Sequence, residues 1–329
     1  MLEFATSVIN IWEKQVLSKN DQERMLKAPD EKSAFAVLFD TDLAPFLQTE
    51  TNLEKISQQD LKELKIKLQA VLQEEPLLCE LLFLKFDALH LKQILKEHFM
   101  SKASKIDQKH IIFEIATMPF PALEGLVDCL LNGKNTHQFE NQEVIFEMTS
   151  RAIELFSLQE KKTARSIEQM VDKAFLESKL KYALRYPLLV RYTKLEIDIA
   201  NLKAVLKEKN EVEFIYGGNF NHEDLLKLVN LKEGEVMMQD LQRFLEAYDI
   251  SLILEDFEKD HSETLLEVGL NRFLSEIAKE EERKSGFGVA KVLSFFERKL
   301  NVLNNIKLIL FSKRAGLSVS EIEPLLLPI

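Results

Sequence analysis

The stretch Tyr192 to Lys209, YTKLEIDIANLKAVLKEK, is the key to the architecture. Leu195, Ile199, Leu202 and Leu206 recur at spacings of four, three and four, which is the stripe of a helix with one buried face. Asp198, Asn201 and Lys203 lie on or beside that stripe. A relative of the stretch occurs twice more. The first is Asp87-Ala-Leu-His90-Leu91-Lys92-Gln-Ile-Leu95-Lys96, and the last is Asn305-Ile306-Lys307-Leu-Ile-Leu310. The anchor positions 90, 201 and 305 are separated by 111 and 104 residues. Near-constant spacing of that size is the signature of one domain-sized unit written three times. The units expected are 1–105, 106–215 and 216–329.

Composition supports long helices. The 329 residues hold only 9 glycines and 8 prolines, under half the usual share, so breakers are scarce. Hydrophobic residues make up 46%, enough for real cores. The aromatics are 22 Phe against 5 Tyr and 1 Trp, which is core filler with few polar handles for a sugar or a base. A net charge of −11 without a basic block excludes ordinary nucleic-acid binding, since no excess of Lys or Arg replaces phosphate counterions. Cys79 and Cys129 make no disulfide framework and read as small buried hydrophobes. No run of 18 apolar residues exists, so no transmembrane segment is expected. Met1-Leu-Glu-Phe carries an acid where a secretion signal needs a basic region, so the chain is expected to be cytosolic or to sit on a membrane's cytosolic side without crossing it.

Along the chain, an opening helix is expected through Leu2, Val8, Ile9, Trp12 and on to Leu17, and a second from Asp60 to Leu72, closed by Glu75-Pro76. The first motif helix follows to about Phe99. The second unit starts in the polar stretch Ser101–Lys109. It holds helices over about 142–158 and 161–184, before Tyr186-Pro187 opens the central motif helix. In the third unit Gly217-Gly218 is a turn and Asn221 a cap. Helices are expected over about Val236–Tyr248 and Ser262–Arg283. Gly286-Phe-Gly288 precedes the longest, Val289–Arg314, whose 26 residues would span about 39 Å. Ala315-Gly316 stops it, and Ser318-Val-Ser-Glu321 has the form of a capping box. The fold class read from this is all-α.

Catalytic signatures are missing. There is no P-loop, GxSxG, HExxH or CxxC pattern, and Gly286-Phe-Gly288 lacks the third glycine of a dinucleotide loop. His90, His98 and His110 form no compact ligand set. Glu255-Asp256-Phe-Glu258-Lys-Asp260 lacks the glycine of a calcium loop, and Glu280-Glu281-Glu282 reads as a solvated helix face. No cofactor is expected. What remains are the motif positions Asp87, His90 and Lys92, then Asp198, Asn201 and Lys203, then Asn305 and Lys307. Side chains such as Asp198 and Asn201 more often tie a helix to a neighbouring domain by hydrogen bonds, with Lys203 in water. The sharper alternative is a polar edge facing a shared partner, and the two are compatible. His90 replaces Asn in the first unit and Val302 replaces the acid in the third, so no strictly threefold ligand site is expected.

Four stretches, LLFLKFDALHLKQIL (81–95), YTKLEIDIANLKAVLK (192–207), FIYGGNF (214–220) and GFGVAKVLSFFERKLNVLNNIKLILFSKRAGLSVSEI (286–322), resemble the C subunit of the V-type and archaeal A-type rotary ATPases. That family includes the eukaryotic membrane-sector d subunit. The resemblance implies three similar helical domains around a pseudo-threefold axis, forming a funnel. It implies a non-catalytic central-stalk component at the cytoplasmic face of a membrane. The wide opening would receive the rotor shaft, formed by the D and F subunits. The base would rest on the proteolipid (c/K) ring, near the stator membrane protein (a/I). Proton or sodium movement and ATP chemistry would then belong to other parts of the complex. The apolar tail Leu325–Ile329 is too short to span a membrane and is expected to pack internally. A free-standing helical adaptor is the main alternative, although its repeats would be about 20–45 residues long. An all-α enzyme with dispersed carboxylates is the other.

Overall fold

The computed structural model describes residues 2–100, 114–139, 141–159, 162–207 (the last two by backbone alone), 213–221, 223–225 and 262–329. Every regular element among them is helical. The stretch Ser101–Lys109, His110, the helix expected over Val236–Tyr248 and the acidic run Glu255–Asp260 lie outside the described residues.

The chain divides into two compact units. One comprises 1–60, 198–214 and 219–329, and the other 61–197 and 215–218. In the first, α1 (Leu2–Trp12), α2 (Lys19–Lys27), α3 (Glu31–Ala36) and α4 (Ala44–Leu47) are short. They gather with α11 (Glu263–Ser285), α12 (Val289–Ala315) and α13 (Val319–Ile322). α12 is the axis of this unit, touching α1, α2, α3, α11 and α13. Its 27 residues are buried on most sides, with Phe295, Phe296, Val302, Ile306 and Ile309 at its heart. Trp12 packs against Phe295 with ring centroids 6.0 Å apart. Gly286 and Gly316, both with left-handed φ, close α11 and α12, as a residue without Cβ does at low cost.

The second unit packs α6 (Pro76–Phe99) with α7 (Phe120–Leu131), α8 (Glu143–Ser157) and α9 (Ala164–Tyr182). α6 is buried on nearly every side from Leu78 to Leu95, which fits a sequence without a clean polar face. The division between the units falls within α5 (Leu53–Val71) and within α10 (Pro187–Lys207).

Two expected boundaries move. The opening helix ends at Trp12, and Val16 and Leu17 reach the core from a turn. The reason is the next cap: Asp21 accepts from the Ser18 N–H at 3.1 Å and Ser18 Oγ accepts from the Asp21 N–H at 3.2 Å, opening α2. The helix expected to begin at Asp60 starts at Leu53, because Asn52 Oδ1 accepts from the N–H groups of Glu54 and Lys55. The capping box at Ser318 forms, Glu321 accepting from Ser318 N–H at 2.8 Å and Oγ at 2.6 Å.

Candidate functional site: buried latches on the motif helices

Asp87 lies in mid-α6 with no solvent exposure. Its carboxylate accepts from Thr117 N–H at 3.0 Å, Thr117 Oγ1 at 2.8 Å and Met118 N–H at 2.8 Å, gripping the backbone 30 residues further on. Asp198 does the same from mid-α10. It accepts from Asn219 N–H at 2.9 Å, Asn219 Nδ2 at 2.8 Å and Phe220 N–H at 3.3 Å. Both acids stand three residues before their anchors His90 and Asn201, so one carboxylate-to-backbone clamp is made twice.

The third motif helix reaches the same end with amides. Val302, in place of the acid, is plain core. Asn305 takes over: its Oδ1 accepts from Leu327 N–H, and its Nδ2 donates to Leu327 carbonyl and to Gln22 Oε1, each at 2.8 Å. Asn301 Nδ2 donates to Ser275 Oγ and to Pro328 carbonyl, both at 2.9 Å. Arg272 adds donors to Leu326 and Pro324 carbonyls. The apolar C-terminus is therefore strapped along α11 and α12, with Leu326 and Ile329 buried. Buried polar groups of this kind are costly when unpaired, so each latch specifies one path for the chain.

The remaining expected positions differ in character. His90 and Asn201 are buried, and His90 meets the Phe120 ring edge-on at 5.4 Å between centroids. Lys92 pairs with Asp172 at 2.6 Å, and Lys307 with Glu54 at 2.7 Å. Lys203 is half-buried. The polar motif residues thus occupy both roles of a helix: Asp87, Asp198 and Asn305 inside, the lysines towards the rim.

Some contacts escape sequence reasoning. Lys299 Nζ, 2% exposed, donates to Asp42 and Asp60 carboxylates at 2.8 Å each. Burial pulls the ammonium down in pKa, but Asp60 and Asp42 outweigh it and hold it above the usual lysine value. A signal exists: Lys299 stands four residues after Phe295 and three before Val302, on the packing face of α12. Tyr186 donates its hydroxyl to Glu75 at 2.7 Å, and Arg185 pairs with the same carboxylate at 3.2 Å. Glu75 and Tyr186 immediately precede the prolines that open α6 and α10, and they are 111 residues apart, the interval between His90 and Asn201.

Among the described residues, no group of three or more His, Cys, Asp and Glu is placed to hold a metal ion. No described helix is long and apolar enough to cross a membrane. Cys79 is buried and Cys129 only half-buried, both as free thiols, and burial pushes Cys79 up to about 12, out of reach of nucleophilic work.

Fold and latches together define an all-helical protein whose buried polar side chains fasten the chain that follows each long motif helix. The profile of the ATP synthase (C/AC39) subunit family matches residues 5–325, and the chain belongs to that family. Among similar proteins, the C subunit of the A-type ATP synthase of Methanosphaera stadtmanae is 26% identical over 190 residues, 51% of this chain and 48% of that protein. Its counterpart in Methanobrevibacter smithii is 24% identical over 185 residues, covering 49% and 46%. That of Methanocaldococcus jannaschii is 22% identical over 263 residues, covering 74% and 63%. The matched stretch thus spans about half the length of the first two relatives.

Proposed function

We propose that this chain is the central-stalk socket of an A/V-type rotary ATPase, a non-catalytic rotor component joining the shaft (the D and F subunits) to the membrane proteolipid ring. In that role it sits peripherally at the cytoplasmic face, near the stator, and passes rotation on for ATP-linked proton or sodium movement. The observation that carries the reading is the family match along residues 5–325. The mechanics agree with it. A torque-bearing spacer needs stiff elements whose connections cannot slide, and dense helical cores resist deformation. The three repeats read from the sequence would supply one motif helix and one latch each. Asp87, Asp198 and Asn305 then serve the socket from within, while Lys92, Lys203 and Lys307 stand nearer to partners.

The test is coupling. Membranes depleted of this chain are expected to lose ATP-driven ion uptake, and adding it back should restore uptake per ATP hydrolysed. Unchanged pumping after complete depletion overturns the reading, and a chain that never co-purifies with shaft and ring points to the free-standing adaptor.

A further inference from the structure

In the second unit a cavity of about 440 Å³ opens between α5, the start of α6, the turn at 117 and the start of α8. Lys65, Gln69, Glu80, Thr117, Asn141 and Gln142 are among its walls. The turn Ala116–Met118 beside it is held from both ends of its peptide dipoles. Lys65 Nζ donates to the Ala116 carbonyl, while Asp87 takes the N–H groups of Thr117 and Met118 and the Thr117 hydroxyl. Glu80 lies two turns before Asp87 on the same helix and faces the cavity. The titratable and charged groups bearing on the pair are Lys65 from α5, Glu143 from the first turn of α8, Tyr182 from α9 and Cys79 from α6 itself, the last two carrying no charge over the pH range concerned.

We propose that the Ala116–Met118 turn is a proton-responsive latch: shut while Glu80 and Asp87 are protonated, and working loose as they ionise. The cavity is the route by which solvent protons arrive. Closure keeps Asp87 in the interior beside a second carboxyl, where ionised forms are costly, whereas an open turn would let water hydrate them. Burial pushes Glu80 up to about 7, with repulsion from Asp87 and Glu143 adding to it. It pushes Asp87 up to about 6 against the pull of its three donors and Lys65. The closed state therefore binds protons more tightly than a hydrated open one, and acid favours closure. The contact survives protonation. The Thr117 hydroxyl, 2.8 Å from Oδ2, can reverse and accept from the Asp87 carboxylic acid, while Oδ1 keeps Met118. Because Pro119 and α7 follow directly, the latch sets how firmly α7 is held to α6.

The experiment is amide exchange of the full chain, read on a peptide spanning 114–120 and corrected for intrinsic exchange at each pH. The opening constant should rise at least tenfold from pH 5 to pH 7.5, since a proton-affinity gap of two pH units allows about a hundredfold. Glu80→Gln with Asp87→Asn should flatten the rise. Thr117→Val keeps both carboxyls but removes one donor that lowers Asp87, so its midpoint should move to higher pH. That variant keeps the test open should Asp87→Asn fail to fold. A wild-type opening constant independent of pH, a rise that persists in the double variant, or an unmoved midpoint in Thr117→Val overturns the latch.

Discussion

Among single residues the most consequential side chain is Lys299. Two carboxylates share its ammonium, and Oδ1 of Asp42 is buried without a hydrogen bond, so the cluster already carries excess negative charge. Lys299→Met leaves those charges uncompensated and should cost about 3–5 kcal/mol in denaturant unfolding. Adding Asp42→Asn and Asp60→Asn should recover most of it, and a triple variant as weak as the single one contradicts this account. The pH dependence follows from the raised pKa. The lysine's contribution is full below its unfolded value of about 10.5 and lost as pH rises through the folded value. Unfolding midpoints should therefore fall in strong alkali, more steeply in wild type than in Lys299→Met. Gly217 is the second such residue. Its φ of +100° suits no L side chain, and a Cβ there would come 2.6 Å from Leu180 Cδ2. Leu180 can turn aside but the backbone cannot, so Gly217→Ala should cost about 1–3 kcal/mol and Leu180→Ala should not rescue it.

Among the helices, capping decides where each begins and latches decide where the intervening chain runs. Ser18, Asn52, Thr163 and Ser262 each present an oxygen where backbone N–H groups would otherwise be orphaned. The starts of α6 and α10 open on prolines instead, with Glu75 and Tyr186 bonded to each other at the threshold. A double-mutant cycle on Glu75→Gln and Tyr186→Phe should give a coupling of about 1 kcal/mol or more, because one acceptor serves both Tyr186 and Arg185. Additive effects would mean that the two helix starts are held by something else. The C-terminal strap makes a matching prediction. Asn305→Ala strips Leu327 of donor and acceptor together, and should destabilise by about 1–3 kcal/mol while raising exchange at the Leu327 amide.

For the molecule as a whole, the buried side chains of Asp87, Asp198, Asn305 and Lys299 close on the chain itself, and Cys79 is shielded from reaction. The isolated chain is expected to release no phosphate from ATP in the absence of the shaft. Steady turnover by purified protein free of other subunits would contradict the socket reading.

Much of this is legible in the order of residues. The long helices follow from a 3.6-residue apolar period with few glycines and prolines, and Asn221 caps its helix as expected, accepting from Asp224 N–H at 3.0 Å. Asp87, Asp198 and Asn305 stand out because a polar residue inside an apolar stripe must find a partner. Their partners do not: Thr117, Asn219 and Leu327 lie 21–30 residues downstream in segments without periodicity. Lys299 is harder still, since a lone lysine ordinarily reaches water, and packing alone shows that its face of α12 is dry. Helical class, element order and the repeated motif are thus written in one dimension, because periodicity and capping act over a few residues. Which buried carboxylate or amide holds which turn is settled in three, because it depends on the distant backbone donors that arrive within about 3 Å once the cores have closed.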